Sequence, residues 1–157
     1  ERGDGPTSLI LSRQALPAMA RSVAQTADIA RGGYVLSDCE GKPDGVLIAT
    51  GSEVALAMDA AKGLAEQGRR VRVVSMPCWE LYEEQDDDYQ DSVLPPAVEA
   101  RLAVEAGVTL GWDRYANAII GIDHFGASAP YQRIFAELGI TAEAIAAALQ
   151  TELEAAG

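Results

Sequence analysis

The sequence predicts an α/β domain whose central strands are parallel and covered by helices on both faces. Residues 45–77, GVLIATGSEVALAMDAAKGLAEQGRRVRVVSMP, carry that expectation as a strand–turn–helix–turn–strand unit. Val46, Leu47, Ile48 and Ala49 form an uninterrupted apolar run, which a strand buried on both faces needs and a half-exposed strand does not. From Val54 onward apolar residues recur at helical spacing through Ala57, Met58, Ala61, Leu64 and Ala65, giving one stripe to lay on a sheet. Residues 71–75 then supply a second strand, reached by the right-handed crossover that joins neighbouring parallel strands.

The remaining elements follow in chain order. Residues 7–11 read as a short strand, Ser12-Arg13-Gln14 as the loop at its end, and the alanine-rich segment up to Arg31 as a polar connector with weak helical character. Gly32-Gly33 breaks it. Tyr34, Val35 and Leu36 make another short strand, and the turn through Asp38, Gly41, Lys42 and Pro43 is too short for a crossover helix, so this strand is expected to run antiparallel at an edge. Ser52 stands where an N-cap belongs, and Gly68 supplies the permissive backbone for the helix stop. After Pro77, residues 79–84 make one or two helical turns, Asp86-Asp87-Asp88 a charged loop, and Val93-Leu94-Pro95-Pro96 a turn. Residues 101–105 and 119–122 are further strands, with a short helix at 111–115 between them. Pro130 falls near the first turn of a helix that Gly139 stops, where a missing amide donor costs little. Thr141 opens a last amphipathic helix along Ile145, Leu149 and Leu153.

A chain of 157 residues, 48% of them hydrophobic, is enough for one domain with an ample core. No uninterrupted apolar run approaches the roughly 18 residues that span a membrane, and Glu1-Arg2-Gly3-Asp4 lacks the basic-then-apolar pattern of an export signal. Cys39 and Cys78 lie far apart and beside no zinc-ligand spacing, so reduced thiols in a cytoplasmic protein are expected. Twelve basic against 24 acidic side chains give a net charge of −12, which repels nucleic-acid phosphates and anionic lipid, so neither nucleic acid nor membrane is an expected partner. With no initiating methionine, the start at Glu1 reads as a cut within a longer polypeptide.

Several constellations invite a chemical reading. Gly51-Ser52-Glu53 at a strand-to-helix turn suggests a phosphate cradle, but it lacks the spaced glycines of a dinucleotide fingerprint, and Glu53 puts a carboxylate on the dipole a phosphate needs; a capped helix explains it better. His124 is the sole histidine, so no histidine-based metal cluster forms within the chain. Asp123 is placed to orient it, yet no nucleophile motif accompanies the pair, and a loop histidine after a strand is usually structural. Asp86-Asp87-Asp88 lacks the alternating ligands, central glycine and distant glutamate of a calcium loop. Trp79, Trp112 and Tyr115 could line a small-molecule pocket at the carboxyl edge of the sheet, although packing accounts for them more simply.

SRQ at 12–14, GGYVL at 32–36, ATGSEV at 49–54, SVLP at 92–95 and GIDHFGASAP at 121–130 together, in this order and spacing, resemble the C-terminal end of transketolase. The likeness covers nearly the whole chain. It implies a three-layer α/β/α domain on a mixed, mostly parallel sheet with one antiparallel strand. It implies a tail of the preceding pyrimidine-binding domain plus linker at 1–31, that tail running from Gly5 to about Ala15, and the C-terminal domain itself at 32–157. By the same likeness the intact enzyme, a homodimer, moves a two-carbon ketol unit between sugar phosphates on thiamine diphosphate anchored by magnesium. Cofactor and metal would be held by domains outside this chain, with no catalytic, cofactor or metal residue within it. One substrate contact is implied: the arginine of SRQ, Arg13, on the sugar phosphate, a task its rigid fork of donors suits. Two function classes stay open, a non-catalytic domain of such an enzyme (or of another thiamine-diphosphate enzyme) with structural, dimer-supporting or regulatory roles, and an independent α/β module that binds a small molecule at the sheet edge.

Overall fold

The computed structural model describes residues 5–157; residues 1–4, with which the expected 1–31 segment begins, lie outside the described residues. Five strands, β1 (Tyr34–Ser37), β2 (Gly45–Ala49), β3 (Val71–Ser75), β4 (Arg101–Val104) and β5 (Ala118–Ile120), form one sheet in the order β1-β3-β2-β4-β5. β2 sits at the centre, parallel to β3 on one side and β4 on the other, and every one of its residues is buried. β1 runs antiparallel to β3 at the edge, with a register irregularity between Val35 and Ser37. The short turn before β2 therefore reverses the chain as expected, with β3 as partner.

From β2 the chain crosses through α2 (Glu53–Glu66) to β3, then returns past β2 through α3 (Trp79–Glu83) and α4 (Asp87–Val93) to β4. Crossings of one hand in opposite directions put their helices on opposite faces. Accordingly α2 packs with α5 (Tyr131–Glu137) and α6 (Ala142–Ala155) around Leu47, Leu64, Val73, Leu102, Ile145 and Leu149. The other face buries Ile48, Val74, Tyr82, Val93 and Trp112 beneath α3, α4 and the 3-10 turn Trp112–Arg114. The three layers expected from the resemblance are present.

By length and composition the stretch Tyr131–Ala155 could cross a bilayer. Gly139 breaks it with a φ of +72°, a conformation L side chains rarely adopt, and α6 beyond the break lays Ile145 and Leu149 into the core. Thr141 caps α6 by accepting from the Ala144 amide at 3.2 Å, as expected. Ahead of β1, α1 (Val23–Asp28) begins in a capping box between Ser22 and Gln25 and continues into the 3-10 turn Ile29–Arg31, so the connector is helical at its end.

Four expectations are corrected. Residues 7–11 form no strand: they pair with nothing among the described residues, and Leu9, Ile10 and Leu11 are 82%, 95% and 82% exposed. A strand needs a neighbour for its backbone groups, and this chain offers none there. Asp86-Asp87-Asp88 is not a loop but the start of α4, because Asp86 accepts from the Tyr89 amide at 2.8 Å and caps it. The strand expected at 119–122 is β5, shorter and one residue earlier, and Ile122 instead donates its amide to the Gly107 carbonyl. Ser52 occupies the N-cap position with helical dihedrals and accepts no first-turn amide.

Candidate functional site

In open α/β sheets ligands collect where crossovers diverge, beyond the carboxyl ends of the strands. Here that place lies between β2 and β4, and a carboxylate of the chain itself bridges part of it. Glu53, the first residue of α2, is 2% exposed, and its carboxylate accepts from the Ser52 hydroxyl and, across the crevice, from the Ala106 amide at 3.2 Å. Burial pushes its carboxyl above the usual range, against the two hydrogen bonds that favour the charged form. The chain thus supplies its own carboxylate where an anionic ligand would meet the helix terminus, which agrees with rejecting a phosphate cradle while replacing the capped-helix reading of Ser52.

The Ser52 hydroxyl serves Glu53 instead of the backbone, and a substitution exposes the difference. Ser52→Ala should lower stability by about 1 kcal/mol through a lost bond to the buried carboxylate. The same change in a Glu53→Gln background should cost less, a coupling that urea titration of the four chains will measure and that simple helix capping would lack.

Glu105, directly after β4, escaped the sequence reading. Its carboxyl lies against Gly107, where an added Cβ would stand 3.2 Å from Oε1. Burial first, and the nearby Glu53 second, push it up to about 7. A carboxylate ending a central buried strand was the signal available in LAVEAG. Glu105 faces an open cleft of about 1000 Å³ that Thr50, Met76, Cys78, Trp79 and Trp112 also line, with residues 5–8 and Ile10 as its far wall.

The aromatic residues are mainly packing groups. Trp79 meets Trp112 edge-on at 4.9 Å between centroids, and Tyr115 lies against both. Arg114 sits 5.0 Å over Trp79 and pairs with Glu83, to which the Tyr115 hydroxyl donates at 2.6 Å. The guanidinium thus stacks on one face of the Trp79 indole in a cation–π contact. Asp123 does not orient His124: it accepts from the Thr109 amide at 2.9 Å and hydroxyl at 2.8 Å, which hold its carboxyl below the usual range and clamp the loop after β4. His124 is exposed, with Nδ1 2.8 Å from the Phe125 carbonyl.

Arg13 stands in a bend, exposed, with no hydrogen bond or ion pair to any described residue. Its guanidinium is free for an anion. Among the described residues no three His, Cys, Asp or Glu side chains converge to hold a metal ion. With the Glu53 carboxylate at the start of α2 as well, the described residues do not fit a diphosphate–magnesium group.

The family model for the transketolase-like C-terminal domain matches residues 32–141. Transketolase 2 of Vibrio parahaemolyticus is 52% identical over 146 residues, 91% of this chain and 22% of that protein. Transketolase 1 of Escherichia coli K12 is 51% identical over 150 residues, covering 94% and 23%. A Pichia stipitis transketolase crystallised with sedoheptulose 7-phosphate superposes with a TM-score of 0.82 at 38% identity, over 90% of this chain and 20% of that one. The chain spans less than a quarter of the length of the curated relatives it matches.

Proposed function

We propose, on the premise that this chain belongs to the transketolase-like C-terminal domain family, that it is one domain of an enzyme transferring a two-carbon ketol group between ketose and aldose phosphates. Residues 32–157 are that domain, and residues 1–31 are the end of a preceding pyrimidine-binding domain with its linker. The carrying observation is the unpartnered, exposed apolar run Leu9-Ile10-Leu11 leading to the unpaired Arg13. Three consecutive aliphatic residues suit a strand buried in a parallel sheet, and a strand ending in a free guanidinium suits a site built between two domains.

In this reading Arg13 holds the phosphate of the sugar and the rest of the chain orients the segment that carries it. Thiamine diphosphate, when bound, supplies the carbanion-stabilising chemistry together with magnesium, and both belong to parts of the polypeptide outside this chain. The intact enzyme is a cytoplasmic homodimer, with the described domain in a structural, dimer-supporting or regulatory role. The parent polypeptide, given thiamine diphosphate, magnesium, xylulose 5-phosphate and ribose 5-phosphate, should form sedoheptulose 7-phosphate, and this chain alone should form none. Turnover by the pure chain, or inactivity of the parent, would refute the assignment.

A further inference from the structure

The loops after β4 and β5 are locked to each other and yet present apolar side chains to water. Asp123 clamps Thr109 through both its amide and its hydroxyl, and the Ile122 amide donates to the Gly107 carbonyl at 2.6 Å. A Cβ added at Gly121 would stand 2.6 Å from Thr109 Cγ2 and 3.0 Å from the Gly107 carbonyl oxygen, so a glycine is what lets the loops close this tightly. Around the clamp, Val108, Leu110 and Phe125 are 58%, 78% and 99% exposed. Beyond Phe125, residues 126–129 are exposed and make no hydrogen bond, ion pair or ring contact with any described residue. Single exposed apolar residues are ordinary, whereas three held out on one fixed scaffold are the arrangement of a contact surface.

The topology decides which neighbour is within reach. Because β1 runs antiparallel, Tyr34 pairs with Ser75 at the carboxyl end of β3, so the chain enters the domain at the same end of the sheet from which loops 105–111 and 121–130 project. From Arg21 onward the connector is fastened there: Arg21 Nε donates to the Tyr34 hydroxyl at 2.8 Å, and the Gln25 side-chain amide donates to the carbonyls of Val35 and Leu36 at 3.0 and 2.7 Å. β1 and β5 are the two edges of the sheet, four strand spacings or about 19 Å apart. A domain of 100 residues, with a radius of gyration of about 13 Å, is wider than that, so one that leads into Arg21 reaches the loops after β4 and β5. We propose that Val108, Leu110 and Phe125 form the docking surface for the domain that precedes this one in the same polypeptide, with Phe125 seated in an apolar socket of that domain and the free backbone of residues 126–129 hydrogen-bonding along its rim. The inference rests on the reading of residues 1–31 as the end of such a domain, and the matched relatives, of which this chain covers 22% and 23%, have the length to supply it.

The test uses the full-length enzyme. Under hydroxyl-radical footprinting, Phe125 and Leu110 of the native enzyme should be oxidised on the order of 10-fold more slowly than in the same enzyme unfolded in urea, whereas side chains left bare would react at nearly the unfolded rate. The second measurement places a photo-cross-linker, Phe125→p-benzoylphenylalanine, in enzyme assembled from isotopically light and heavy chains. On illumination it should join the preceding domain of its own chain, ahead of Arg21, giving light–light and heavy–heavy pairs. Light–heavy pairs would assign the surface to a second copy, and oxidation at the unfolded rate would leave it bare; either overturns the proposal, as do cross-links confined to residues 21–157. Turnover by the parent polypeptide is read separately. An inactive parent with Phe125 protected and cross-linked within its own chain refutes the ketol-transfer reading and supports the docking surface, and an active parent with freely oxidised Phe125 refutes the docking surface alone.

Discussion

Replacing Arg13 by alanine in the intact enzyme is expected to cut kcat/KM for phosphorylated sugars by roughly one to two orders of magnitude, because a charge-assisted pair with a phosphate is worth about 1.5–3 kcal/mol. The structure gives this residue no competing task. It is exposed and joins no described side chain or carbonyl, so its removal should leave the fold intact. A guanidinium held for structure would be paired, as Arg72 is with Asp38 at 2.9 Å and with the carbonyls of Ser92 and Val93. Unphosphorylated acceptors should suffer much less, and that selectivity separates a lost phosphate contact from a disturbed dimer. Arg13→Lys should restore part of the loss, since it returns a positive charge without the planar fork. Steady-state kinetics with paired phosphorylated and unphosphorylated acceptors decide the matter, and equal losses for both would remove Arg13 from the site.

The parts of this molecule that were legible in the sequence are those whose cause is local. Val46 to Ala49 announced a buried strand because no half-exposed strand tolerates four apolar residues in succession, and the strand is fully buried. The orientation of β1 followed from a connection too short to cross the sheet. The errors fall where the decisive partner is distant or absent. Residues 7–11 have strand composition, but a strand depends on its neighbour, and none is present among the described residues. Three consecutive aspartates looked like a solvated loop, although the first of them is the cap that starts α4. Ser52 and Glu53 were read as helix-terminus chemistry, whereas the amide that decides their role belongs to Ala106, 53 positions away from Glu53. The same distance hid Glu105, whose behaviour depends on a carboxylate delivered by another element.

Glu105 should make the chain less stable as pH rises through neutrality, opposite to what an ordinary salt-bridged carboxylate does. Its carboxyl titrates near 7 in the folded chain, against 4.5 for the ordinary group, so the folded state binds the proton more tightly than the unfolded state. The stability tied to that proton is fully present below about 4.5 and is lost progressively as pH climbs through 7. The cause is geometric: the carboxyl ends a central strand, is partly buried, and lies near Glu53, which is itself held in the crevice by Ser52 and Ala106. Since the cleft admits water to Glu105, the effect should be screened to about 1–2 kcal/mol between pH 5 and pH 8. Asp44 and Asp123, held below the usual range by Arg70 and Thr109, act in the opposite sense but only in strong acid, whereas Glu53, raised by burial, acts in the same sense as Glu105, so the difference between the native chain and a Glu105 variant carries the test. Glu105→Gln keeps the shape and removes the titration. Urea unfolding at pH 5, 6, 7 and 8 should therefore show a declining stability for the native chain, a flatter profile for the variant, and a variant more stable than the native chain at pH 8. A native profile that rises from pH 5 to pH 8, or a variant that follows the same decline, would mean that neither burial nor the Glu53 carboxylate raises Glu105.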